Sequence, residues 1–249
     1  MAKKKAAKKV AKEAAATVQV VEMIQIPAVV VEVMQVPIRG IGGGLVVHNW
    51  SEKAIAMMLA KQMHRQLEPQ AAKDPHADYL DTLYTATDGT TGFPATAFKD
   101  AMVRAAKGIN GLDMITMRQM IFIEADCEED REFTIPMKGM KVPVKHRIQT
   151  PLVRLLGRTK KETHQMRMDM VRLNGKTADI RFRAHYPKWE AILTINYMAN
   201  RIGPEQVANL VNLGGHTVGV GEGRPEKSTD MTWGRWEVDM ARKPKGRKR

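Results

Sequence analysis

A single cysteine, Cys127, stands in 249 residues. That excludes an intramolecular disulfide and any multi-cysteine zinc or iron–sulfur site, and it fits a reducing compartment, so a cytoplasmic location is expected. No apolar run is long enough to span a bilayer, because the longest, residues 18–38, is broken by Glu22, Gln25, Pro27, Glu32, Gln35 and Pro37. The lysine-rich start, MAKKKAAKKVAKEAAA, is followed by no apolar segment of signal-peptide length, so neither secretion nor a membrane partner is expected. Aromatic residues make up only 5% of the chain, too few for a binding mode built on many stacked rings. Enzyme signatures are missing too: there is no Gly-x-x-x-x-Gly-Lys-Ser/Thr phosphate loop, no His-Glu-x-x-His pair and no Gly-x-Ser-x-Gly elbow. No cofactor is implied. What the chain does have is 43% apolar and 27% charged residues, enough for one large domain or two small ones.

The net charge of +13 is unevenly placed. Residues 1–16 carry +5 and residues 242–249 (RKPKGRKR) carry +6, which leaves +2 for residues 17–241. Within that middle, residues 136–177 hold +9, and everything else sums to −7. Two basic ends and one basic internal block suit a polyanionic partner better than general solubility, although basic tails are also commonly just solvated and disordered.

The tail over 1–16 has no apolar face with which to dock and is expected to be disordered, as is the tail over 242–249. Val and Ile in residues 18–38, with Pro27 and Pro37 as breaks, predict two strands or one kinked strand. After the loop Gly40–Gly44, the spacing of Ile55, Met58, Leu59, Met63 and Leu67 behind Ser51 predicts a helix of about four turns. Gly92-Phe93-Pro94 opens a second helix with Phe98, Ala101, Met102 and Ala105 on one face and a stop at Gly108. Residues 120–124 read as a strand, and residues 136–177, rich in Pro and Gly, as an insertion of loops or a ribbon. From Ala178 to Tyr186 apolar residues alternate with Asp179, Arg181, Arg183 and His185, predicting a strand with one apolar and one largely basic face. Pro187-Lys188 would turn it into a hairpin with Trp189–Tyr197. Gly203-Pro204 starts a helix carrying Val207, Leu210 and Val211, a glycine loop runs from Gly219 to Gly223, and Trp236, Val238 and Met240 alternate as a last strand. The order of elements is that of an α+β, ferredoxin-like or RNA-recognition-like antiparallel sheet, over residues 17–241, with helices on one face and a basic inserted segment.

The acidic run Glu124, Asp126, Glu128, Glu129 and Asp130 offers hard oxygen ligands for Mg²⁺ or Ca²⁺ but lacks the calcium-loop spacing, and a solvated loop explains it more simply. The scattered histidines 48, 64, 76, 146, 164, 185 and 216 show no ligand pattern, so no metal site is assigned. Gly219-x-Gly221-x-Gly223 leads into Arg224-Pro225-Glu226-Lys227 rather than a phosphate-facing helix and is not a dinucleotide fingerprint. Gly40–Gly44 brings main-chain N–H groups within reach of an anion, or simply makes a tight connection. Arg181 and Arg183 either line a groove for a phosphate backbone or pair with sheet neighbours such as Glu190. The segment Gly219–Arg235 either cradles a ribose-phosphate chain or is a surface hairpin.

At its glycine-containing segments the chain resembles the RAMP superfamily, in particular the backbone subunits that coat guide RNA in CRISPR effector complexes. Gly92 to Arg104 is similar to that family's Ile-Pro-Gly-Ser-Ser-Leu-Lys-Gly stretch ending near an Arg; Pro94, Lys99 and Arg104 match, while Ala95 and Asp100 replace its two glycines. Leu213-Gly214-Gly215 through Gly219 and Gly221 to Trp233-Gly234-Arg235-Trp236 resembles its C-terminal glycine loop and Gly-Arg strand, and Gly40–Gly44 stands at its first glycine turn. Gly219 to Lys227 also resembles a segment of uncharacterised bacteriophage proteins. The RAMP resemblance covers most of residues 30–240 and implies an RNA-recognition-like sheet with an inserted thumb at 136–177 and lateral self-association along a nucleic acid. A carboxylate at Asp100 would repel phosphate, and no position matches the aspartate of the family's RNA-cleaving members.

The leading expectation is a non-enzymatic binder of single-stranded RNA or DNA that forms homo-oligomers and contacts phosphates with little sequence preference. The residues expected to carry it are Arg39, Lys99, Arg104, Lys145, Arg147, Arg154, Arg158, Lys160, Lys161, Arg172, Arg181, Arg183, His185, Gly219, Gly221, Arg224 and Arg235. The alternatives are a phage structural or assembly protein whose tails touch packaged genome, and a metal-dependent nuclease using the acidic run.

Overall fold

The computed structural model describes residues 28–65, 72–109, 111–135, 143–157, 164–173 and 177–242. The 1–16 tail, the first predicted strand as far as Pro27, residues 136–142, Arg158, Lys160, Lys161 and the tail beyond Arg242 lie outside these. Among the described residues no helix is long and apolar enough to cross a membrane.

Strand β1 (Val31–Ile41) alternates so that Val36 and Ile38 enter the core, while Arg39 pairs with Glu237 on the other face. It lies between β11 (Trp189–Met198) and β12 (Arg235–Val238), and β5 (Ile121–Glu124) flanks β11. Every pair in this β12-β1-β11-β5 sheet is antiparallel. A short strand, β8 (Leu156–Gly157), also joins β11. Helix α3 (Ala95–Ala105) buries Phe98, Ala101, Met102 and Ala105, the face its spacing predicts, and α5 (Pro204–Leu213) buries Val207, Leu210 and Val211. Phe98, Trp189 and Trp236 meet at the core with ring centroids 5.6–6.5 Å apart. Gly40 is required there: a Cβ would sit 2.2 Å from Trp189 Nε1.

Two further sheets complete the α+β architecture. One is β2 (Leu45–Val47), β10 (Thr177–Tyr186) and β9 (Gln165–Leu173) in the order β2-β10-β9; the other is β3 (Tyr84–Thr85), β4 (Thr91–Pro94), β7 (Val144–Arg154) and β6 (Cys127–Ile135) in the order β3-β4-β7-β6. Helix α1 (Glu52–Gln62) starts at the predicted cap, Ser51 accepting from the Ala54 N–H, and ends at Gln62 with Met63 as its cap; Leu67 lies outside the described residues. Two short helices were not foreseen: α2 (Pro75–Leu80), capped by Asp74, and α4 (Met114–Met120), capped by Asp113.

Three expectations need correction. The acidic run is not a solvated loop. From Cys127 it is strand β6, in which Glu129, Phe133 and Ile135 point inward, so a buried carboxylate hid the alternation. Pro187-Lys188 does not close a hairpin: β10 pairs with β2 and β9, β11 with β1, β5 and β8, and the dipeptide carries the chain from one sheet to another. A two-residue hairpin turn needs positive φ at its first central position, which the proline ring forbids. Finally, the described residues of the basic block 136–177 are mainly strand and are divided between sheets, β7 pairing with β4 and β6 while β9 pairs with β10, so they form no single inserted unit.

Candidate nucleic-acid interface

The glycine loop Gly219–Gly223 lies between α3 and β2. Gly219, Gly221 and Gly223 have φ of 70°, 75° and 65°, a region side chains rarely enter, and a Cβ on Gly221 would meet the Val46 carbonyl oxygen at 2.5 Å. Three of the loop's five N–H groups are spent internally: Gly219 donates to Gly214, Val220 to Gly234 and Glu222 to Val46. Gly221 serves close packing on main chain, and Gly223 makes room for the Trp233 ring. The same holds for Gly43 and Gly44, whose missing Cβ atoms make room for the Trp233 ring and the Tyr186 carbonyl.

Between this loop and α3 is a cleft of about 370 Å³. Arg104 and Arg224 line it, but so do Asp100, Glu222 and Glu226. Arg104 reaches Glu226 at 2.7 Å and Asp100 at 3.9 Å, and Arg224 is 3.5 Å from Glu226. Burial alone would raise the Glu226 carboxyl; Arg104 and Arg224 outweigh it and hold the group below the usual carboxylate range. Two guanidiniums facing three carboxylates leave no surplus of positive charge here.

A second concavity, about 440 Å³, adjoins the cleft at His48, which lines both. It lies between α1, α2 and β10, and its charged lining is Lys53, Lys73, Arg181 and Arg183 against Asp78 and Asp179. Lys73 (3.3 Å) and Arg181 (3.5 Å) share Asp179. Arg183, only 4% exposed, pairs with Glu222 of the glycine loop and so forms the wall between cleft and pocket. Partial desolvation of the His48 ring, then the charges of Arg183 and Arg181, hold its imidazole below the ordinary value against the opposing pull of Glu222. Met57 and Phe182 supply an apolar side, with Lys73 Nζ 5.9 Å from the Phe182 ring.

Strand β10 is thus not divided into an apolar and a basic face. Arg183 and His185 are buried while Ile180 is exposed. The reason is position along the strand: β9 runs beside nearly all of β10, but only the end near Tyr186 is also flanked by β2 and packed against Glu222 of the glycine loop and the Gly43 carbonyl, 2.7 Å from His185 Nε2.

The remaining predicted cations are dispersed. Arg39 is held by Glu237 at 2.6 Å, and Arg235 lies 3.0 Å from His216 Nδ1. Arg147 is gripped by Asp130 and Arg154 by Asp88 at 2.8 Å, both on the β7 side, where Lys145 is exposed. Lys99 stands 4.2 Å from the Phe122 ring. Of Arg172 only its place in β9 is described. Sequence reasoning missed Lys53 and Lys73, because each sits in a stretch of mixed charge, Lys53 behind Glu52 and Lys73 ahead of Asp74. The acids once weighed as metal ligands have other partners: Glu124 accepts from Asn196, Asp126 from the Arg154 N–H and Glu129 from Asn49. Among the described residues no three His, Cys, Asp or Glu side chains converge.

No protein family matches this chain, and no curated protein does. Among solved structures it is similar to Cmr6 from Pyrococcus furiosus, with 12% identity over 85% of this chain and 100% of that one and a TM-score of 0.36. Similarity at this level does not establish a shared activity.

Proposed function

We propose that this protein is a non-enzymatic, largely sequence-independent binder of single-stranded RNA or DNA, built on a ferredoxin-like core of the RAMP kind. The observation that carries the reading is that Arg181 and Arg183 of β10 join Lys53 of α1 and Lys73, just ahead of α2, in one concavity, continuous at His48 with a second cleft, so that cations from three separate stretches of chain face one groove. The basic terminal segments add unspecific attraction. With few aromatic residues, phosphates rather than bases carry the affinity. The strand order supports the core assignment: taking β1, β5, β11 and β12 as first to fourth, they lie 4-1-3-2, with α3 between the first and second and α5 between the third and fourth.

Self-association along the strand is part of the proposal. From Val31 to Val36 no described strand pairs the outer edge of β1, and Val31 and Val33 are exposed there. A different apolar surface is offered by Met166, Met168 and Met170 of β9. Two unlike patches on one chain favour head-to-tail contacts, the kind that propagate along a polymer.

The test is binding of labelled oligonucleotides by the chain shortened to residues 17–241. Retained, salt-sensitive affinity is expected. Affinity that disappears with the tails overturns a groove on the core.

A further inference from the structure

The groove described above is not electrically uniform, and the difference between its two halves selects a ligand. The cleft at the glycine loop has three carboxylates for two guanidiniums, whereas the pocket between α1, α2 and β10 has four cations for two carboxylates. Glu222 spends its charge on Arg183, and Asp179 is shared by Lys73 and Arg181. Lys53 has no ion-pair partner among the described residues, and it stands in the first turn of α1, where the helix N-terminus favours an anion. Even with Glu222 counted, positive charge is left over.

We infer that this pocket receives a nucleotide bearing a terminal phosphate monoester, its phosphate on Lys53, Arg181 and Arg183 and its base against Met57 and Phe182. A monoester carries close to two negative charges at neutral pH and a diester one, so the monoester gains more from the positive charge left over in this pocket. The volume of about 440 Å³ lies within the range of small-molecule sites, and the lining combines an apolar wall with converging polar groups as such sites do. Arg183 is a built-in element of the site, since it is buried and fixed by Glu222 before any ligand arrives. Asn49 and Thr82 at the pocket margin are already engaged, Asn49 with Glu129 and Leu83, Thr82 with Tyr79 and Ala184, so they hold the pocket's shape and do not read the ligand. The chemistry is the same whether the phosphate ends a strand or belongs to a free nucleotide.

The inference rests on the binding function proposed above, and the experiment separates the two. Anisotropy is measured with 3′-labelled decamers bearing a 5′-phosphate or a 5′-hydroxyl, with a nucleoside 5′-monophosphate as competitor, on the full chain and on its Lys53→Ala and Arg181→Ala variants. An advantage of about ten-fold for the 5′-phosphate, lost in both variants, supports a strand-end site. Decamers bound alike, with displacement by the monophosphate that either variant abolishes, supports a free-nucleotide site. Decamers bound alike with no response to the monophosphate overturn the inference and leave strand binding standing. No binding of either decamer overturns the proposed function itself. Lys53 is exposed on α1, so its variant folds even where Arg181→Ala is compromised.

Discussion

Arg183 of β10 and Glu222 of the glycine loop form an ion pair that joins two segments 39 positions apart in the chain, with the guanidinium almost wholly buried. Water withheld from Arg183 makes the carboxylate indispensable to it, since removing one partner of a buried pair strands the other. Glu222→Gln is expected to cost about 2 kcal/mol of unfolding free energy, less than the ~3–5 kcal/mol of a fully buried pair because Glu222 keeps some contact with water. Replacing both residues with apolar ones should cost less than the sum of the single losses. Denaturant unfolding of the four proteins tests this, and strictly additive losses would refute the pairing.

Glu226 competes with phosphate for Arg104 and Arg224. Glu226→Gln is therefore expected to tighten oligonucleotide binding several-fold and to steepen its salt dependence by about 0.7 in the log–log slope for each phosphate newly contacted. Titrations at two or more ionic strengths measure it. Weaker binding in the variant would show that the carboxylate positions those arginines instead of masking them.

His48 and His164 are both held below the ordinary imidazole value, His48 by desolvation and the nearby Arg183 and Arg181, His164 by burial beside Tyr79 and Tyr186. A histidine depressed in the folded state takes up its proton more readily when unfolded, so its contribution to stability is full above the unfolded pKa and is lost as pH falls below about 6.5. Glu129, raised by burial, acts in the opposite sense at more acid pH. Unfolding free energy is expected to decline as pH drops through this window, and less steeply in His164→Asn. Parallel pH profiles for the two proteins would contradict the assignment.

Gly40 and Gly108 make a matched pair. A methyl group at Gly40 would collide with the Trp189 indole, while at Gly108 nothing lies within 4 Å. Gly40→Ala should lose about 1–3 kcal/mol and Gly108→Ala stay near the parent in thermal melts. Equal melting temperatures would mean that Trp189 has room to move.

Val33→Lys places a charge at the unpaired edge of β1 without touching the core. It should shift the sedimentation profile toward a smaller species and leave the melting temperature unchanged. Unaltered oligomers would place self-association elsewhere, with the methionines of β9 as the next surface to change.

Local signals in the sequence were legible wherever one element carried its own evidence. The Ser51 cap and the spacing behind it located α1, and Phe98, Ala101, Met102 and Ala105 marked the buried face of α3. Where a polar residue occupies an inward position, the same reasoning failed: Glu129 concealed β6, and the burial of Arg183 and His185 left no signal because neither their cover nor Glu222 is adjacent in the chain. The candidate site was half legible for the same reason. Arg181 and Arg183 announce themselves by alternation, but Lys53 and Lys73 enter the groove only because α1 and α2 pack beside β10.

By itself the sequence determined the lack of a membrane-crossing helix pattern, the three separate stores of positive charge, and those helices and strands whose apolar spacing is unbroken, such as α1 and α3, because composition and periodicity are properties of the chain alone. Only the tertiary structure decided which cations are held in ion pairs and which face a common pocket. An ion pair depends on which carboxylate the fold brings to within a few ångströms, and burial on what packs around a strand; both are set by segments such as Glu222 and β2 that lie far away in the chain. Thus the glycine loop that looked built for phosphate is neutralised and packed on main chain, and the surplus charge stands in the pocket beside it.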